Sequence, residues 1–283
     1  MKIKPRCFEC LLSRVEFESR LSTNDEKRVK EVSFACRRLL EEKFSPDVAA
    51  PRIASEVHHL AYEMLENPDP YCRLKEVCNA QAIEAAGEIE PLLHTLHDYI
   101  LASVIANTFD YGVRSHAVTS DFLHYYHKKV REGLYIDDTD AIEKRMARTL
   151  YLTDNCGEIV MDAFLIRQLK DKGARVTLAV KGAPILNDAT LEDALLVGLD
   201  TVVDTLTTTG SGDIGINLEK APAELSSALS DATLVIAKGM ANYESLSEYS
   251  DLPPIAYLMS VKCETIAESI GVPMGSLIAM LDV

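Results

Sequence analysis

The feature that most constrains this chain is a change of hydrophobic period near residue 148. Before it, apolar residues recur at three- and four-residue spacing over 6–20, 25–43, 50–66, 71–86, 90–108 and 118–131. That is the period of amphipathic helices, so residues 1–147 are expected to form a helical domain without a clear strand. Thr23-Asn24, Ser45-Pro46-Asp47, Asn67-Pro68-Asp69-Pro70 and Thr119-Ser120-Asp121 punctuate the helices. After it, short β-rich runs alternate with helical ones. TLYLT (149–153), RVTLAV (175–180), TVVDT (201–205), TLVIAK (233–238) and IAYLMSV (255–261) read as buried strands, and SLIAMLD adds one more near the end. Helices are expected between them, in EIVMDAFLIRQLKDKG, DATLEDALLVG, PAELSSALSD and NYESLSEY. This alternation calls for an α/β fold, a mostly parallel sheet in an α/β/α sandwich, over residues 148–283. No internal repeat or low-complexity segment is evident.

Composition narrows the function classes. With 283 residues the chain can bury a substantial core, and 47% hydrophobic against 26% charged residues describes a soluble globular protein. A formal net charge of −15 argues against binding a nucleic-acid polymer, which needs a basic face against phosphate. An acidic protein that handles anions must concentrate positive charge locally, through a metal, a lysine or helix N-termini. No apolar run approaches the roughly 20 residues that span a bilayer, and MKIKPRCFEC lacks the apolar core of a secretory signal. Seven irregularly spaced cysteines do not form a disulfide framework, so the cytoplasm is the expected compartment.

In an open parallel sheet, ligands bind outside the carboxyl ends of the strands, and polar residues gather at those positions here. The first strand leads to Asp154-Asn155-Cys156-Gly157-Glu158, the second to Lys181-Gly182 and Asn187-Asp188. The third leads into TTTGSGDIG, the fourth to Lys238-Gly239 and Asn242-Tyr243-Glu244, the fifth to Lys262-Cys263. Several such ends in succession describe one site. Asp154, Asn155 and Asp188 are hard oxygen donors suited to Mg²⁺ or Mn²⁺. If the first two strands are neighbours, their ends lie about 5 Å apart, within reach of one ion. Helix capping by Asp154 or Asn155, and by Asp188, is the alternative. Glu158 is a water-orienting carboxylate or merely a first-turn acid. Lys238, ending an apolar strand, is expected at the crevice rim as a phosphate contact, or else as a snorkelling lysine. Gly239 beside it permits close backbone approach.

Other motifs are weaker. Gly210, Gly212 and Gly215 satisfy G-x-G-x-x-G, but LTTT separates them from the expected strand and Pro222 interrupts the continuation. A nicotinamide cofactor is therefore not expected, and the segment reads as a glycine loop. Cys7-x-x-Cys10 lacks a well-spaced second ligand pair for zinc and a preceding strand for a thioredoxin-like unit. Cys156, with no histidine near it in sequence, reads as structural. Asn107 and Asp110 in NTFDYG lie one turn apart, facing the crevice or simply ending a helix. Lys75 and Asn79 in DPYCRLKEVCN form a polar stripe that a solvated face explains equally well.

Several of these motifs, in order, carry a resemblance. CFECLL, DPYCRLKEVCN, NTFDYG, TDNCGEIVMD, VKGAPILNDAT, AKGMANYESL and SVKCETIAESIGVPMG together resemble the damage-control phosphatase family, formerly domain of unknown function eighty-nine, of ARMT-one-like fold. The opening CxxC and the length are similar to its microbial subfamily I. The resemblance implies a metal-dependent phosphatase with a helical domain packed on an α/β/α sandwich. It places metal ligands on Asp154, Asn155 and Asp188, and other site positions on Glu158, Lys238, Asn242 and Glu244, with Asn107 and Asp110 entering from the helical side. It implies Mn²⁺, Co²⁺, Ni²⁺ or Mg²⁺ as cofactor, a small phosphorylated metabolite (sugar phosphate or nucleotide) as substrate, and a role for Cys7 and Cys10.

The expected chemistry is phosphomonoester hydrolysis. A metal-activated water attacks, Glu158 orients or deprotonates it, and Lys238 with the helix N-terminal amides around Gly157 neutralises phosphate. Asn155 and Cys156 after Asp154 leave no DxD pair of the haloacid dehalogenase type, which favours direct attack by water. Two other readings stay open: an S-adenosylmethionine-dependent methyltransferase, poorly matched by the single glycine of TDNCGE, and a non-enzymatic thiol or zinc module on Cys7 and Cys10.

Overall fold

A computed structural model describes residues 1–108 and 122–283. The first five helices are α1 (Pro5–Ser22), α2 (Glu26–Lys43), α3 (Ala50–Leu65), α4 (Cys72–Ile89) and α5 (Leu96–Ala106), followed by α6 (Phe122–Glu132) and α7 (Thr139–Glu143). Their ends follow local chemistry. Pro5 opens α1, Asp25 caps α2 by accepting from the Lys27 amide, and Thr95 with Asp98 forms a reciprocal capping box on α5. The helical half is not free of strand: β1 (Ile136–Asp137) precedes α7 and pairs with the last strand of the chain.

The remaining strands are β2 (Arg148–Leu152), β3 (Arg175–Val180), β4 (Thr205–Thr208), β5 (Leu234–Lys238), β6 (Ile255–Ser260) and β7 (Leu277–Asp282). Between them lie α8 (Glu158–Asp171), α9 (Leu191–Leu196), α10 (Ala223–Asp231), α11 (Gly239–Leu246) and α12 (Glu264–Ile270). They form one seven-stranded sheet of order β1-β7-β6-β5-β2-β3-β4, parallel except for the β6–β7 pair. The fold is α/β with a mostly parallel sheet, as the alternating half of the sequence requires.

One strand is misplaced by sequence pattern. Of TVVDT only Thr205 is in a strand: Gly198 adopts a left-handed conformation, Leu199–Thr201 forms a 3₁₀ turn, and Val202 and Val203 pack against the core. The strand begins at Thr205, whose register with Thr177 is set beside Asp204, a side chain that accepts from the Val176 amide at 2.7 Å. Half-buried Val202 and Val203, packing on the core from a turn, satisfied the β-branched pattern without pairing.

Side chains alternate across the sheet, and both faces are covered. Tyr151, Leu178, Ile236 and Leu258 share a core with α4, α5 and α8, whereas Leu150, Leu152, Val235 and Tyr257 pack with α10, α11 and α12. The helical half therefore serves two purposes. Its later helices complete one layer of the sandwich, while α1, α2 and α3 form a separate core that reaches the strand-end loops through Ile185, Leu186 and Ile214. Among the described residues no helix is long and apolar enough to cross a membrane.

Candidate active site

The strand order creates the site. From β2 the chain proceeds to β3 and β4 on one side, then returns to β5 on the other side of β2. The helix after β2 covers one face and the helix after β5 the opposite face, so the carboxyl ends of β2 and β5 diverge at a topological switch point. Asp154 follows β2 there, and Gly239 follows β5. Gly239 has φ +74°, and a β-carbon on it would overlap the Asp154 carboxylate. The backbone thus approaches the acid as closely as the missing side chain allows.

The second loop joins from β3. Asn155 and Asp188 form an antiparallel bridge, the Ala189 amide donates to the Asp154 carbonyl at 2.7 Å, and the Cys156 amide donates to the Asn187 carbonyl at 2.8 Å. Asp154, Asn155 and Asp188 consequently line one cavity of about 60 Å³, together with Arg14, Glu244 and Lys262. That is space for a small ion and a few ligand oxygens. Two carboxylates and an amide oxygen are hard donors for a divalent cation, and the Asp154 carboxylate is held firmly, since Asn107 Nδ2 and Asn155 Nδ2 donate to its Oδ2 at 2.9 and 2.8 Å. Among the described residues no group of three or more His, Cys, Asp or Glu stands together as a metal cluster, so an ion here would rely on the Asn155 amide oxygen as its third protein ligand.

Below this cavity lies a closed charge network. Lys238 is fully buried rather than at the crevice rim, and its three ammonium hydrogens reach Glu158 Oε1 at 2.6 Å, Asp162 Oδ1 at 2.8 Å and the Ser103 carbonyl at 3.0 Å. The apolar strand that carries it turns its head inward to two acids instead of out toward the crevice. Burial alone would pull its pKa down, but the charges of Asp162 and Glu158 together raise it, so it stays cationic. Glu158 is equally buried, and its Oε2 accepts from Asn107 and Asn155 at 2.8 and 2.9 Å. It orients the amides that hold Asp154 and does not line the cavity of Asp154, Asn155 and Asp188. Asp162 is pushed up to about 6, by burial first, with the nearby Glu158 charge adding to the rise.

The other expected site residues divide. Glu244 lines the cavity, and burial pushes its carboxyl up to about 7 against the pull of Arg14. Asn242 instead donates to the Thr153 and Lys238 carbonyls at 3.0 and 2.8 Å, bracing β2 against β5. Asn107 accepts from the Ser260 amide while donating below Asp154, so it is a brace too. The Gly157 amide is buried and donates to Asn79 Oδ1 at 2.6 Å, so its hydrogen is already used within the protein. Asp110 lies outside the described residues. Cys156 is buried, its thiol pushed well up by burial, consistent with a structural residue. Cys7 is half-buried and Cys10 exposed, both as free thiols.

The glycine loop follows β4 directly, because the LTT of LTTT belongs to the strand. No helix opens on it; a 3₁₀ turn, Leu218–Lys220, comes next. Lys181 pins the loop by donating to the Asp213 carbonyl at 3.0 Å while pairing with Asp188 at 3.2 Å. From α3, His59 Nε2 donates to the Gly212 carbonyl, and the Ser55 hydroxyl accepts from the Ile214 amide at 2.9 Å.

Sequence reasoning missed Arg14, Ser103, Asp162 and the work of Asn79. Arg14 lies seven residues after Cys7 on α1, hence on the same helix face. That spacing was the available signal.

Comparison with known proteins gives the family and the fold. Residues 3–278 match the family model described as the damage-control phosphatase ARMT1-like domain. The chain is 40% identical to a damage-control phosphatase of Archaeoglobus fulgidus, with 99% of each chain covered. It is 32% identical to a damage-control phosphatase of Pyrococcus horikoshii, covering 99% of this chain and 98% of that one. A crystal structure of a DUF89 family protein from the same organism superimposes with a TM-score of 0.91 at 29% identity over 99% of both chains.

Proposed function

The chain belongs to the damage-control phosphatase ARMT1-like family, and from that premise we propose that it hydrolyses phosphomonoesters of small metabolites with the help of a divalent metal ion. The observation that carries this reading is the convergence of Asp154, Asn155 and Asp188 on one cavity that Arg14 and Lys262 also line. A protein of net charge −15 needs such a local concentration of positive charge to accept a phosphate.

Asp154, Asn155 and Asp188 would hold the ion, with Mn²⁺, Mg²⁺, Co²⁺ or Ni²⁺ as candidates of suitable charge and oxygen preference. When bound, it would supply Lewis-acid polarisation of the phosphoryl group. The chain provides the rest. Arg14 and Lys262 neutralise phosphoryl oxygens that the ion does not reach. Glu244, with a carboxyl near neutrality, is placed to give a proton to the leaving oxygen or take one from the incoming water. Asn107, Asn155 and Glu158 hold Asp154 in one orientation, and Lys238 holds Glu158. Because Asp154 Oδ2 is occupied by two amide donors and no DxD pair follows β2, attack by water is favoured over an aspartyl-phosphate intermediate.

The test is turnover of p-nitrophenyl phosphate by chelator-treated protein resupplied with single divalent ions. Activity should depend on the ion, and Asp154→Ala should abolish it while helix content by circular dichroism is retained. Survival of ion-dependent activity in that variant, or a trapped phosphoryl group on Asp154, would overturn the assignment.

A further inference from the structure

Asn79 reaches two separate loops with one side chain. It lies on α4, buried, and its Oδ1 accepts from the Gly157 amide at 2.6 Å while its Nδ2 donates to Asp193 Oδ1 at 2.7 Å. The orientation of its amide group is chemically forced, because a backbone N–H can only donate and a carboxylate can only accept. Gly157 closes the turn that carries Asp154 and Asn155, with φ +67° and no side-chain cap of its own. Asp193 closes the second loop, accepting from the Thr190 amide and hydroxyl at 2.8 and 2.9 Å, two residues beyond Asp188.

We propose that Asn79 is a positioning residue that sets the spacing of Asp154 and Asn155 against Asp188, and thereby the affinity of the site for its divalent ion. This rests on the metal-dependent reading above. The neighbouring contacts support a fixed platform rather than a solvated stripe: Cys78 donates its thiol to the Cys156 carbonyl at 3.7 Å, and Lys75 pairs with Asp69 at 3.4 Å and Asp193 at 3.8 Å. Outer partners of this kind typically change metal affinity by about tenfold to a hundredfold when lost.

The test is calorimetric titration of the metal-free protein with Mn²⁺ alone, beside thermal unfolding of the same samples. Asn79→Asp keeps the acceptor for Gly157 but faces one carboxylate with another at Asp193. It should weaken Mn²⁺ binding by about tenfold to a hundredfold in a protein with wild-type helix content. The double variant N79D/D193N restores a donor opposite an acceptor, the new amide at position 193 now donating, and should recover most of the loss. A side chain that only stabilised the fold would lower the unfolding midpoint and leave the affinity of the folded protein unchanged. Wild-type affinity in N79D, or no recovery in the double variant, overturns the role of Asn79 alone. A wild-type protein that binds none of Mn²⁺, Mg²⁺, Co²⁺ and Ni²⁺ in the same titration overturns the metal reading, and this inference with it. If N79D fails to fold, Asn79→Ser, too short to reach both partners, takes its place with the same expected loss.

Discussion

The α-carbon of Gly239 lies against the carboxylate of Asp154, at the point where the ends of β5 and β2 separate. Any side chain at 239 would have to occupy the volume that this carboxylate fills, and the positive φ there disfavours one independently. Gly239→Ala should therefore displace Asp154 and lower ion-dependent turnover by about a hundredfold, the usual scale for a misplaced group of around 1 Å. Steady-state kinetics with circular dichroism of the same sample checks this. Wild-type turnover in a folded variant would contradict it.

Lys238 neutralises two buried acids, and nothing else among the described residues contacts both with a positive charge. Lys238→Met should destabilise the fold by about 3–5 kcal/mol, because an unpaired charge remains in the interior. Urea unfolding of the metal-free protein measures the loss. Adding Asp162→Asn, which removes one of the stranded charges, should recover part of it.

Asp162 carries a pH signature. Its carboxyl, pushed up to about 6 in the folded protein from an ordinary value of 3.8, holds its proton more tightly than the unfolded chain does. Its contribution to stability is full below the lower value and disappears as pH rises through the upper one. Relative to Asp162→Asn, the wild type should thus lose unfolding free energy between about pH 4 and pH 6. Paired urea titrations across that window give the difference directly, and a wild type that gains on the variant would refute the sign.

The seven cysteines should react in three classes. Cys10 and Cys72 are exposed, Cys7 and Cys263 half-buried, and Cys36, Cys78 and Cys156 buried. Burial also pushes the Cys36 thiol up to about 12. Mass-mapped alkylation of the native protein should label Cys10 and Cys72 first and leave the last three until denaturation. Early labelling of Cys156 would reopen a nucleophilic role for it.

Much of the architecture was legible because it rests on local pattern. The helical period located α1 to α4 within a few residues and α5 with its start six residues early, and continuous apolar runs located β2, β3, β5 and β6, since strands buried on both faces have no polar side to display. TVVDT misled because its two valines pack half-buried on the core from a turn, and β4 depends on pairing with β3, a contact that no local pattern encodes.

For the site, polarity after each strand identified where chemistry would gather, and Asp154, Asn155 and Asp188 do share a cavity. Residue type could not say which polar groups face it. Lys238, Glu158, Asn107 and Asn242 are the same kinds of residue as those lining the cavity, yet their hydrogen bonds close on one another and on the backbone beneath it. Asn79 could not be told from a residue of a solvated face because its partners, Gly157 and Asp193, are 78 and 114 residues away. The sequence by itself determined the alternation of elements and the positions of strand ends, because periodicity and turn residues are properties of neighbours along the chain. Only the tertiary structure decided which side chains open toward a ligand and which brace it. That choice depends on whether a polar atom's partner is water or a distant residue, and burial, which sets the cost of having neither, exists only after the layers have packed.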